Sequence, residues 1–365
     1  MIFQIIFKKK NALRLVVIVT VVLAVQCQAM ERYGSPRLSS IVCIKPEYSF
    51  GNPAVDSIAN AEDKKSVYKL GQRVAWKNNY LLISSPLVDD KGDRGQLTVV
   101  NTKTREIVWS PKGNFYNLSF CSQGLEFAAI ICENNMYESH VYAIKSRTKT
   151  MSYHHPESWV SCFLEWISRD EIIIFSGKKM YKMNLKTAAM SDFLMSKDCY
   201  CYPTCVAIRN SDIPEITIGW YNEIKIVDSS TGKVKKASPL LQGAIVRKLS
   251  WSPDREKLIA HRSPYGSMEI GYLSIYDRSN LEKPIFVLEG RDSVSKWLDN
   301  DRIVTTDGNK IYLENVGTGT IEKIFQNYGG WISDICINSE GTKIASATKD
   351  SVDIWPIEDE KLTEK

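Results

Sequence analysis

The residues best able to do chemistry are few and scattered. Three of the nine cysteines crowd into Cys199-Tyr-Cys-Tyr-Pro-Thr-Cys205. With a fourth ligand from elsewhere, thiolates at Cys199, Cys201 and Cys205 could hold zinc, but their spacing is not the Cys-x-x-Cys pair such sites favour. In an oxidising compartment the same three could form a disulfide; unpaired, they would pack as small hydrophobes. We therefore assign no metal and keep Cys199, Cys201 and Cys205 as a candidate disulfide cluster. Cys43, Cys121, Cys132, Cys162 and Cys336 fall in or beside strand-like segments and are expected in the core.

Four histidines occur: His140, His154, His155 and His261. Nucleophilic hydrolysis needs a Ser or Cys beside a His that a third group orients, and the sequence holds no Gly-x-Ser-x-Gly elbow. His261, at the end of a strand, is expected to be structural, and His154-His155-Pro156 to lie in a solvent loop. Glycoside hydrolysis needs only two carboxylates, but the acids cluster at turns such as Asp89-Asp90, Asp254, Asp299 and Asp301, where turn chemistry explains them. Gly317-Thr-Gly319 is a hairpin turn rather than a phosphate cradle. The expectation is no catalytic residue and no cofactor, with a hydrolase of unrecognised site as the alternative.

Charge narrows the partners. The formal +5 of the chain is mostly carried by Lys8, Lys9, Lys10 and Arg14, which precede the first acid, so the rest is nearly neutral. No concentrated basic face is left for nucleic acid. Residues 1–29 have the three parts of a secretory signal: that basic stretch, an apolar run over 15–25, and a small residue at Ala29. The run is short for a membrane span, although the apolar opening over 1–7 keeps an uncleaved anchor as an alternative, and only then is membrane contact expected. Initiation at Met30 would remove the leader and leave the protein intracellular. The expected location is secreted or exported to the cell envelope.

The elements that would position these side chains announce themselves as a repeat. Residues 247–260 read Arg-Lys-Leu-Ser-Trp-Ser-Pro-Asp-Arg-Glu-Lys-Leu-Ile-Ala, a strand, a tight turn and a second strand; 333–346 repeat the phrase. The large apolar residue before each turn is Trp76, Phe120, Trp166, Ile208, Trp251, Trp297 and Ile337, at intervals of 40 to 46 residues. That period fits four short strands per propeller blade, so seven markers predict an all-β, seven-bladed β-propeller of four-stranded antiparallel blades over 67–358. Residues 30–66 form an N-terminal segment, with 39–44 expected as a strand that closes the last blade, and 359–365 form a charged tail.

The turn Trp251-Ser-Pro-Asp254, the closing Ala345-Ser-Ala-Thr-Lys-Asp-Ser-Val-Asp-Ile-Trp355 and the Asp-x-x-Thr-Gly turn at 228–232 resemble divergent WD repeats. The resemblance implies a binding platform rather than an enzyme. It also implies a buried His–Ser–Asp–Trp network, which should be incomplete here: the opening Gly-His pair is missing, Trp355 alone keeps the closing Trp, and Asp350 best matches the Asp. From Met30, Glu31-Arg-Tyr-Gly-Ser-Pro-Arg37 resembles the Asp-Arg-Tyr-Ile-Pro-x-Arg motif of anaphase-promoting complex activators, with the Pro one place late and no Ile-Arg at the C-terminus. That resemblance implies an intracellular propeller as the alternative reading.

Aromatics in the segments that enter each blade are the natural anchors for a protein partner. Tyr116, Trp159, Tyr328 and Trp331 are the candidates. The one sequon, Asn117-Leu-Ser119, falls within a strand, a poor place for a glycan.

Overall fold

Every marker residue sits at or beside the end of a strand that is the innermost of its blade. The computed structural model describes residues 37–38, 43–44, 46, 48–51, 68–69 and 72–358, less 86, 90–91, 94, 134–135, 156–162, 178, 196–202, 210–213, 240–243, 265–270, 290–293 and 328–329. The seven inner strands are Arg73–Lys77, Asn114–Phe120, Phe163–Trp166, Cys205–Arg209, Ala244–Trp251, Ser295–Trp297 and Asp334–Ile337. Each begins a sheet whose successive strands pair antiparallel, and blades 1 to 7 are numbered in chain order. The chain is an all-β seven-bladed propeller.

Three of the tryptophan markers do more than fill space. Trp166 Nε1 donates to Ser119 O in the preceding blade (3.0 Å), and Trp297 Nε1 does the same to Ser250 O (3.0 Å). Trp251 Nε1 reaches Thr217 Oγ1 (3.0 Å). Each indole thus fills the space between blades and satisfies its polar edge on the neighbour. The second strands are buried on both faces, as in Tyr80–Ser85 and Glu171–Ser176, so the cores are sandwiched between blades. One apolar cluster joins Val246, Trp251 and Tyr276 of blade 5 to Cys205, Ile224 and Ile226 of blade 4.

Turns between third and fourth strands reuse one device. The last residue of the third strand is Asn101, Asn184, Asp228, Asp277 or Asn315, and its side-chain oxygen accepts backbone N–H groups two or three residues on. Four residues after the end of the third strand, Arg105, Arg147, Ala188, Gly232 and Gly319 take positive φ. Only the last two are glycines.

The ring closes through the N-terminal segment, although not with the expected residues. Tyr48–Gly51 pairs antiparallel with Ser351–Pro356 as the outer strand of blade 7. Of the strand expected over 39–44, the described part, Cys43–Ile44, runs parallel to Thr320–Gln326 on the outside of blade 6, next to Arg37–Leu38. Within that pairing Ser49 Oγ donates to Asp353 Oδ1 (2.5 Å). Blade 7 meets blade 1 where Asp334 Oδ2 accepts Val74 N (3.2 Å) and Ser333 Oγ donates to Gln72 O (2.7 Å). A small sheet of Tyr68–Lys69, Leu87–Asp89 and Gly92–Asp93 is added beside blade 1.

Among the described residues no helix is long and apolar enough to cross a membrane.

Candidate functional site: the central channel and its rim

Inner strands of all seven blades line a central cavity of about 350 Å3. In blade 5 the pairing register slips between Val246 and Lys248, a bulge that places Arg247 and Lys248 in the channel wall. Lys248 Nζ reaches across to Asp334 Oδ1 of blade 7 (3.2 Å). Burial opposes ionisation of Asp334, yet Lys248, Arg73 and Lys296 hold its carboxyl below the usual range. The Lys248 ammonium is pushed down by burial, with Asp334 opposing the shift. On blade 3, burial raises Glu165, which accepts Ser119 Oγ (2.6 Å).

His261 also lines the cavity and bonds Ser295 Oγ through Nε2 (2.6 Å). Burial, helped by Lys248 and Lys296, lowers its pKa to about 3. As the sequence implied, it is a satisfied buried residue.

His155 departs from expectation. His154 is the last residue of the blade 2 strand Thr148–His154, and His155 is buried, with Nε2 on Ser139 Oγ (2.8 Å). Its backbone N–H donates to Tyr137 O (2.9 Å), extending the sheet one residue past the strand and drawing the ring inward. Burial lowers its pKa to about 4.

The proposed anchors separate. Tyr116 is half-buried in the channel wall, its ring 6.3 Å from that of Tyr137 in an edge-on arrangement. Trp331, in the connection into blade 7, is 62% exposed and beside Gly308. Trp159 and Tyr328 lie outside the described residues, as do Cys199 and Cys201. Cys205 is a free thiol, buried between blades 4 and 5, with Sγ 3.7 Å from Val246 O and a pKa pushed up to about 12 by burial. Cys121 and Cys336 are likewise free and buried, and Cys132 is buried. No group of His, Cys, Asp and Glu suited to a metal ion occurs among the described residues. Asn117 of the sequon lines the channel, and its Oδ1 is buried.

The β-propeller domain of Cps50 (Swd1) from Myceliophteria thermophila, known from a crystal structure, matches 80% of this chain and 99% of that one, with a TM-score of 0.58 and 10% identity. The chain shares the fold of that propeller. At that identity the likeness is one of fold. No family model matches the sequence, and no curated protein matches it.

One blade of this propeller keeps a polar network of the expected kind, with altered members. Trp355 Nε1 donates to Ser346 Oγ (2.8 Å), and Asn327 Nδ2 donates to both Ser346 Oγ (3.2 Å) and Asp353 Oδ2 (3.0 Å). Asn327 takes the part that the resemblance gives to His. The carboxylate is Asp353 rather than Asp350, whose backbone N–H is turned to Thr348 Oγ1 (3.2 Å) in the loop before the strand. Strand alternation explains the exchange, since Asp353 and Trp355 share a face of Ser351–Pro356.

The sequence did not single out Arg73, Glu165, Lys248, Lys296 or Asp334. They come from five blades, and only closure of the ring makes them neighbours.

Proposed function

We propose that this propeller is a non-enzymatic protein-interaction platform, exported from the cell or tethered to its membrane. The observation that carries the binding role is the exposed indole of Trp331 on the side where the chain enters each blade, the same side from which Tyr116 lines the channel. A large, rigid, half-apolar side chain held in solvent is the usual anchor of an interface, and a WD-repeat-like ring offers a stiff base for it. Trp331→Ala is expected to weaken capture of the native partner by cross-linking in its own cells at least about tenfold, while the melting temperature stays unchanged. Undiminished capture would remove this face from consideration.

Export rests on the leader at 1–29. An arginine within its apolar run, Val21→Arg, is expected to leave a full-length precursor inside the cell. If the variant reaches the same compartment as the native protein, initiation at Met30 is the better reading.

A hydrolytic reading draws on one contact, His261 on Ser295. A base works best with a pKa near the operating pH, and His261 has been driven to about 3. Its charged neighbours are Lys248 and Lys296, which oppose the imidazolium that a triad acid would stabilise. The pair is better suited to hold blade 5 to blade 6.

A further inference from the structure

The charges in the channel are sorted by wall. Arg73, Arg247, Lys248 and Lys296 belong to blades 1, 5 and 6, whereas Glu165 stands on blade 3. Asp334 of blade 7 is the one acid among the cations lining the cavity, and its two oxygens already accept Lys248 Nζ and Val74 N. Arg73 Nη1 donates to Ser333 O (2.9 Å), and Arg247 Nε donates to Ser263 Oγ (2.9 Å). Lys296 is different. Asp334, Glu165, Lys248 and His261 feel its field, but no described residue bonds its ammonium.

We propose that the channel seats a carboxylate from an acidic peptide segment, bound by the Lys296 ammonium and backed by Lys248. The proposal rests on the interaction-platform reading and names its partner's chemistry. Asp334 and Glu165 lie within the field of this half-buried ammonium but no described residue bonds it, and a charge-assisted bond at such a site is strong. The cavity of about 350 Å3 admits one or two side chains and no folded domain, so the ligand enters as an extended segment. Tyr116 and Phe163, on the walls of blades 2 and 3, offer apolar surface to the stem of a glutamate. Glu165, facing the cationic wall, disfavours more than one negative charge at the same depth, which selects a single carboxylate over a phosphate dianion.

The test is a titration of the full chain with a labelled octapeptide of alternating Glu and Gly, blocked at both ends, followed by fluorescence anisotropy. Binding is expected in the micromolar range and should weaken as salt is raised. Lys296→Gln should weaken it about tenfold, and Lys296→Arg should restore most of the loss. Because Lys296 bonds no described residue, the Gln variant is expected to melt close to the parent, and its melting curve is recorded beside the titration so that a failure to fold does not confuse the result. No binding at about 1 mM peptide, or equal binding by Lys296→Gln, overturns the proposal. So does displacement of the peptide by inorganic phosphate at equal concentration. Loss of partner capture in Trp331→Ala with no effect of Lys296→Gln would leave the platform standing and remove the channel seat. Lys296-dependent peptide binding without Trp331-dependent capture would do the reverse.

Discussion

Acidification from neutral pH to about 4.5 should weaken the fold by about 3–5 kcal/mol, mostly through two histidines. His261 and His155 are buried with pKa values lowered to about 3 and about 4, from an ordinary 6.5. Both are neutral in the fold. As the pH drops below 6.5 the unfolded chain gains protons that the fold refuses, so stability falls steadily until each folded pKa is reached. The carboxyl groups of Glu215 and Asp334 act in the same direction at lower pH. Glu215 is held below its usual range, against burial, by Arg278, Arg209 and Lys235, and Asp334 by the channel cations. Raised Glu165 opposes them in part. Urea unfolding at the two pH values measures the loss. In a His261→Gln, His155→Gln double variant the difference should shrink to less than half, and an undiminished difference would show that other groups control it.

Trp355→Ala should cost about 3–5 kcal/mol. The indole has no exposed surface, packs edge-on against Phe325 at 6.0 Å, and joins the apolar cluster between blades 6 and 7. Its removal opens a cavity and deprives Ser346 of its indole donor. Trp355→Phe keeps most of the volume and loses the hydrogen bond, for about 1–2 kcal/mol. Chemical unfolding of the three proteins should rank them in that order. An Ala variant as stable as the Phe variant would mean that the ring tolerates the void by collapsing.

These effects were unequally readable in advance. The blades were legible because each repeat ends its inner strand on a large apolar residue, and the spacing alone counts them. His261 was legible as a structural residue from its apolar neighbours, although it lies inside the strand Lys257–Pro264 rather than at its end. His155 was not: it follows a strand whose exposed alternation resembles a loop, and only pairing to Met136–Ala143 turns its ring inward. The closing strand was misplaced for a related reason. Apolarity favoured 39–44, whereas the outer strand of blade 7 is Tyr48–Gly51, whose Ser49 bonds Asp353 from the far end of the chain. The channel was the least legible. Lys248 reaches its wall through a bulge that strand periodicity does not register, and Lys296, Glu165 and Asp334 are unremarkable alone.

The Ser49–Asp353 contact spans 304 residues. During synthesis, Tyr48–Gly51 is among the first strands to emerge and must wait for nearly the last residues before it has a partner. An edge strand left unpaired for that long is exposed to the wrong neighbours, and pairing across so large a sequence separation is intrinsically slow. Any factor that holds the early segment apart would also decide when the ring can shut.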